Sequence, residues 1–178
     1  TGYASGTNAA TYNDILTTVS SAASNYNITY VNGSLVIAPK TLTITNPTVS
    51  NKVYDSGTTA TVSSTGTLSG FIGTQTVTVG SSTGTFVGVG NVGTGISVTV
   101  SYTLANGANG GLTSNYTVPN STVTANITAK ALTISGETVS NKVYDSTNAA
   151  TLNKASAALV GVIAGDVVTL NIFLAERS

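Results

Sequence analysis

The chain has 178 residues, is 7% charged with a formal net charge of zero, and contains no Cys, Met, Trp or His. An average soluble protein is roughly 25% charged, and six scattered Lys and Arg cannot build the basic patch that nucleic acid requires. The missing residue types exclude disulfides, thiolate and imidazole metal ligands and the commonest general base, and no apolar run reaches the roughly 20 residues that cross a bilayer.

What remains is rich in Thr, Val, Ser, Gly, Ala and Asn. β-Branched residues pack well on a pleated surface, and Gly and Asn supply positive φ in turns, so the bias predicts an all-β fold. Near the N-terminus, residues 8–24 (NAATYNDILTTVSSAAS) are one of two places with room for a short helix; the other is 155–165 (ASAALVGVIAG). Between them lie short alternating runs separated by turn formers, the pattern of a β-sandwich. They are TLTIT (41–45), TVSNKVY (48–54), TATVS (59–63), TQTVTVG (74–80), GTFVGV (84–89), GISVTVSYTL (95–104), NYTV (115–118) and STVTANIT (121–128). Asn46-Pro47 interrupts the first two and marks an edge or a change of sheet. Alternation in the longest run places Ile96, Val98, Val100, Tyr102 and Leu104 on a core face, with Ser97, Thr99, Ser101 and Thr103 toward water.

A repeat organises these runs. TVSNKVYDS occupies 48–56 and returns unchanged at 138–146, within a longer match of KTLTITNPTVSNKVY (40–54) to KALTISGETVSNKVY (130–144), a shift of 90 residues. NYNITYVNGSLVIAPK, ending at Lys40, likewise matches NYTVPNSTVTANITAK, ending at Lys130. The chain divides into the closing part of one module (1–40), a complete module (41–130) and the opening part of another (131–178), and reads as an internal piece of something longer. The two flanks together approach one full period. Asp55 and Asp145 are expected to close the turn leaving the repeated strand by accepting a backbone N–H two residues on, with Gly57 and Asn148 at the left-handed position. Tyr54 and Tyr144 are expected to anchor the strand end with buried rings in like surroundings, and Lys52 and Lys142 to be solvated.

Lys-Val-Tyr-Asp followed by Ser, a later Val-rich run, the glycine-rich GVGNVGTG, Asn-Tyr-Thr and the ITAK-LTI junction together resemble the YDG repeats of bacterial adhesins. The opening NYNITYVNGSLVIAPKTLTI is similar to the end of related, mostly bacterial immunoglobulin-like repeats. The resemblance implies large secreted cell-surface proteins made of tandem immunoglobulin-like sandwiches, and it brings no catalytic residues. Ser56 and Ser146 stand where the family usually has Gly. The family's Gly-Asp before the Val-rich run aligns with Gly73-Thr74 in one copy and Gly165-Asp166 in the other, so that acid is not a required ligand.

Each motif with a catalytic or binding look has a plainer reading. GVGNVG at 88–93 satisfies G-x-G-x-x-G, but a strand-forming run follows where a phosphate site needs a helix. Lys52 with Asp55, and Lys142 with Asp145, lack a nucleophile or second carboxylate for hydrolysis. A self-formed isopeptide crosslink needs a free acid, and Asp55 is committed to its turn. Calcium needs six to eight oxygen ligands, and the six acids are spread over two modules. Threonines at spacing two read as the wet face of a sheet before an ice- or sugar-binding one. Asn27, Asn32, Asn115, Asn120 and Asn126 head N-x-S/T triplets and are the candidate glycosylation acceptors.

The expectation is a non-enzymatic structural or adhesive repeat without cofactors, forming an extended stalk or fibre at a bacterial cell surface. Its partners are neighbouring modules, identical subunits, or a host or environmental glycan or surface. The flanks either pair head to tail between subunits or belong to a longer array. The alternative is a carbohydrate-binding module of a secreted protein, against which stand the absence of Trp and the dispersed tyrosines. The closing NIFLAERS fits no part of the pattern.

Overall fold

A computed structural model describes residues 7–13 and 23–171. The fold is all-β. In chain order the strands are β1 Ala10–Asn13, β2 Ser34–Ile37, β3 Lys40–Thr41, β4 Thr43–Thr45, β5 Thr48–Val49, β6 Lys52–Val53, β7 Thr59–Ala60, β8 Val62–Ser64 and β9 Thr67–Ser69. They continue with β10 Val77–Phe86, β11 Gly93–Asn106, β12 Tyr116–Thr117, β13 Ser121–Thr128, β14 Thr133–Ser135, β15 Thr138–Val139, β16 Leu152–Asn153 and β17 Ala158–Val160. Only 3-10 turns, at Ala23–Asn25 and Thr113–Asn115, interrupt the strands among the described residues.

The two suggested helices are corrected accordingly. In the first, residues 10–13 form β1, and 14–22 lie outside the described residues; in the second, 158–160 form β17. In both places the backbone groups are satisfied across a ladder instead, β1 against β2 and β17 against β14. The closing segment from Ile172 also lies outside the described residues.

The centre of the molecule is a five-stranded sheet in the order β6-β13-β11-β10-β7. Its inner face supplies Phe86, Val98, Val100, Ala125 and Ile127, all buried, with Val49, Tyr54, Val62 and Tyr102 packed against them. The alternation of β11 is therefore observed, and its far end serves a second cluster, where Leu104 packs with buried Leu42, Val77 and Tyr116. TQTVTVG and GTFVGV, expected as two strands, are one: β10 runs through Gly80-Ser81-Ser82, with a register irregularity between Val79 and Ser81. Gly84 is glycine for contact, because a Cβ there would lie 2.8 Å from the Ala60 carbonyl oxygen on β7.

Before this sheet the chain forms two narrower ladders. β4 pairs with β9 and β5 with β8 as two separate two-stranded sheets, and the break at Asn46-Pro47 falls between them, as expected of a change of sheet. A further change of partner follows when β6 joins β13 in parallel. At the break Gly66, with φ of 85°, crosses so close that a Cβ would sit 2.2 Å from the Thr45 carbonyl oxygen.

The same two ladders recur one sequence period later. β14 pairs with β17 as β4 does with β9, and β15 with β16 as β5 does with β8. Thr43 opposite Ser69 becomes Thr133 opposite Val160, and Val49 opposite Val62 becomes Val139 opposite Leu152. Here the close crossing is made from the other arm: Gly136, φ 88°, lies against Ser156, where a Cβ would be 2.1 Å from the carbonyl oxygen. The surroundings differ. Val49 and Val62 meet the core, whereas Val139 and Leu152 are exposed, because among the described residues no strands lie over them.

Candidate functional site

The repeated nonapeptide forms the turn that joins the two edges of the central sheet. Lys52 lies on β6, Thr59 on β7, and the Lys52 ammonium spans them, donating to the carbonyl oxygens of Gly57 at 2.9 Å and Thr59 at 3.2 Å. Asp55 completes its coordination as an ion pair, and the ammonium lies 5.9 Å from the centroid of the Phe86 ring. The side chain is only 16% exposed. The expected solvated lysine is thus corrected for Lys52: three donors meet three acceptors inside the turn, which makes partial burial tolerable.

Asp55 caps the turn as expected, Oδ1 accepting from the Gly57 N–H at 2.9 Å. The left-handed residue, however, is Ser56 (φ 63°), not Gly57; in the second copy it is Ser146 (φ 62°), not Asn148. The second turn otherwise reproduces the first. Lys142 donates to Asp145 Oδ1 at 2.7 Å and to the Thr147 carbonyl at 2.9 Å, and the Thr147 N–H reaches Asp145 Oδ1 at 3.0 Å. Since only the first copy sits on a core, the turn is specified by its own residues.

Hydrogen bonds from Lys52 and from the Gly57 N–H hold the Asp55 carboxyl below the usual carboxylate range, and Lys142 and Thr147 do the same for Asp145. A depressed carboxyl favours the folded state at pH values above its unfolded pKa, and that contribution disappears as pH falls through the folded value. Unfolding midpoints recorded between about pH 6 and about pH 2 should fall below about pH 4, and Asp55→Asn should flatten that acid limb.

The two tyrosines occupy unlike places, contrary to expectation. Tyr54 is half-buried against the core, and its hydroxyl donates to Asp166 Oδ1 at 3.1 Å, a residue of the second copy. That bond, foremost, raises the pKa of the phenol. Tyr144 is 88% exposed, and its hydroxyl accepts from the Ser146 hydroxyl at 3.3 Å. Its ring stays outside because among the described residues no strand covers it as β13 and β11 cover Tyr54.

The Tyr54–Asp166 contact closes one side of a cavity of about 200 Å³ where the copies meet, walled mainly by Val92, Leu132, Ile163 and Val168, with Lys130 at its edge. A cavity of about 180 Å³ lies at the earlier junction, where Ala9 and Ile37 face Lys40, Ile72 and Gln75. The alignment of Asp166 with Thr74 is corrected here. Gln75 N donates to the Ile72 carbonyl and Asp166 N to the Ile163 carbonyl, both at 3.0 Å, so Asp166 is the counterpart of Gln75.

A family model described as the YDG domain matches residues 38–125 and again 128–176. The chain belongs to the YDG domain family. Comparison with curated proteins and with solved structures finds no match. In this YDG chain the family's tyrosine and aspartate divide their work: Asp55 closes the turn, while Tyr54 faces the neighbouring copy.

The glycine-rich segment 88–93 joins β10 to β11, and Gly90 packs on the turn, where a Cβ would be 2.6 Å from the Gly57 carbonyl oxygen. Of the glycosylation candidates, Asn27, Asn32 and Asn120 are exposed. Asn126 Oδ1 accepts from Gly95 N at 2.8 Å. Asn115 donates Nδ2 to Asn8 Oδ1 at 2.9 Å, and its Oδ1 accepts from Ala9 N at 2.7 Å. The Asn115, Gln75 and Asp166 roles carry no local sequence signal beyond their turn-forming neighbours.

Proposed function

We propose that this chain is a non-enzymatic structural repeat of an extracellular bacterial surface protein, in which immunoglobulin-like sandwiches with a period of 90 residues follow one another to form a stalk or fibre. The modules are 41–130, preceded by the end of one (1–40) and followed by the beginning of another (131–178). The observation that carries this reading is the recurrence of one turn and one pair of ladders in both copies, with only Ala129 to Leu132 between β13 and β14. So short a connection leaves no flexible linker, and repetition adds length.

The second copy also has an open position. In the first, Lys52 and Val53 pair in parallel with Ile127 and Thr128. Lys142 and Val143 have no strand partner among the described residues, while Ile37, the counterpart of Ile127, lies in β2. That place takes a strand equivalent to β13, supplied by the next stretch of a longer array or, head to tail, by the β2 end of another subunit.

Electron micrographs of the negatively stained chain should show rods or filaments, and light scattering should show mass rising with concentration. A chain that stays monomeric when concentrated would overturn the head-to-tail pairing, and isolated round particles would overturn the stalk.

A further inference from the structure

The two junctions are the same joint seen from opposite sides. β1 and β2 pair as β11 and β13 do: Ala10 stands opposite Ile37 where Gly93 stands opposite Ile127. Asn8-Ala9 thus takes the place of Asn91-Val92 at the tip of the glycine-rich loop, and the two pairs line the two junction cavities through Ala9 and Val92. On the receiving side Lys40 corresponds to Lys130, Ile72 to Ile163 and Gln75 to Asp166.

Each junction shows a different half of the bonding. At the earlier one, the asparagine loop of the preceding segment is held by Asn115, through Ala9 N at 2.7 Å and Asn8 Oδ1 at 2.9 Å. At the later one, Tyr54 reaches Asp166 at 3.1 Å. We propose that a complete joint has both attachments: the tyrosine of each Lys-Val-Tyr-Asp turn donates to the Gln75/Asp166 position of the following repeat, and the asparagine tip of each glycine-rich loop docks on that repeat's Asn115 position. The partner is a further repeat of this same family. Two separated hydrogen-bonded points around a cavity fix orientation, whereas one would allow rotation about it.

The joint also gives a use to residues that the turn and the core leave unexplained. Asn91-Val92 projects from a loop whose positive-φ glycines, Gly88 and Gly90, let it bend over the Asp55 turn. Tyr54 packs its half-buried ring against the core and extends its hydroxyl to the next repeat. At the earlier junction Gln75 is already oriented, its Oε1 accepting from the buried Tyr116 hydroxyl at 2.6 Å. In such an array the acceptor for the Tyr144 hydroxyl would come from the repeat after the one that holds Asp166.

This inference rests on the tandem-array reading, and spin-label distances test it separately. The chain has no cysteine, so exposed Thr83 and Thr151 can be made the only two labelling sites across the later junction, and Ser34 with Thr83 across the earlier one. The parent chain should give narrow distance distributions. Tyr54→Phe, which keeps the ring packed, should widen the later one about twofold, and Asn115→Ala the earlier one, each bond being worth only about one thermal factor of ten or less. Asp166→Gln should stay narrow, since an amide oxygen accepts as Gln75 does. Unchanged widths in Tyr54→Phe and Asn115→Ala, or widening by Asp166→Gln equal to that of Tyr54→Phe, would overturn the joint. Rods in micrographs with unchanged widths would sink the joint and leave the array standing, whereas round particles would remove the array itself.

Discussion

Phe86→Ala should cost about 3–5 kcal/mol of stability, the range for removing a buried aromatic ring from a packed interior. Phe86 is 1% exposed and sits at the end of β10, where it meets Val98 and Val100 of β11 and carries the Lys52 ammonium near its face. Its loss therefore empties the main cluster and also loosens the floor under the repeated turn. A typical domain has about 5–15 kcal/mol in total, so this variant should be close to the limit of folding. Equilibrium unfolding in urea, followed by tyrosine fluorescence because the chain has eight Tyr and no Trp, should show a lower midpoint with little change in slope. A loss below about 1 kcal/mol would mean that the cluster around Val98 and Val100 is not the folding core.

Gly66→Ala is expected to cost about 3 kcal/mol. Two effects add: a non-glycine residue at φ of 85° is strained by about 1–2 kcal/mol, and its Cβ would collide with the Thr45 carbonyl oxygen at 2.2 Å. Gly73 is the internal control. It also has positive φ, 54°, but a Cβ there meets nothing within 4 Å, so Gly73→Ala should cost only about 1 kcal/mol. Equal losses in the two variants, measured by the same unfolding curves, would show that the two ladders part at the break and that the close crossing is not maintained.

The regular parts of the fold were legible because local patterns determine them. STVTANIT coincides with β13, and the alternation of GISVTVSYTL separates inner from outer residues, since both strands are half-buried and their period is two. The cap by Asp55 was equally readable, because its acceptor and donor are two residues apart. Reading failed where one residue type serves two purposes. Ser81-Ser82-Thr83 separated two expected strands, yet they lie inside β10, where Gly84 admits the backbone of β7. Lys52 looked solvated, because its carbonyl acceptors exist only once the turn has closed. The Tyr54 partner was out of reach for another reason. Asp166 is 112 positions away, and nothing in either local segment marks the other.

The two parallel pairings of the central repeat have a mechanical consequence. β3 runs alongside β12 and β6 alongside β13, tied by Leu42 N to Thr117 O at 2.7 Å and Tyr54 N to Thr128 O at 2.9 Å. In each pair one strand belongs to the entering end of the unit and the other to the leaving end. When tension draws those ends apart, neighbouring strands slide lengthwise, and their hydrogen bonds bear the load together in shear instead of parting one after another.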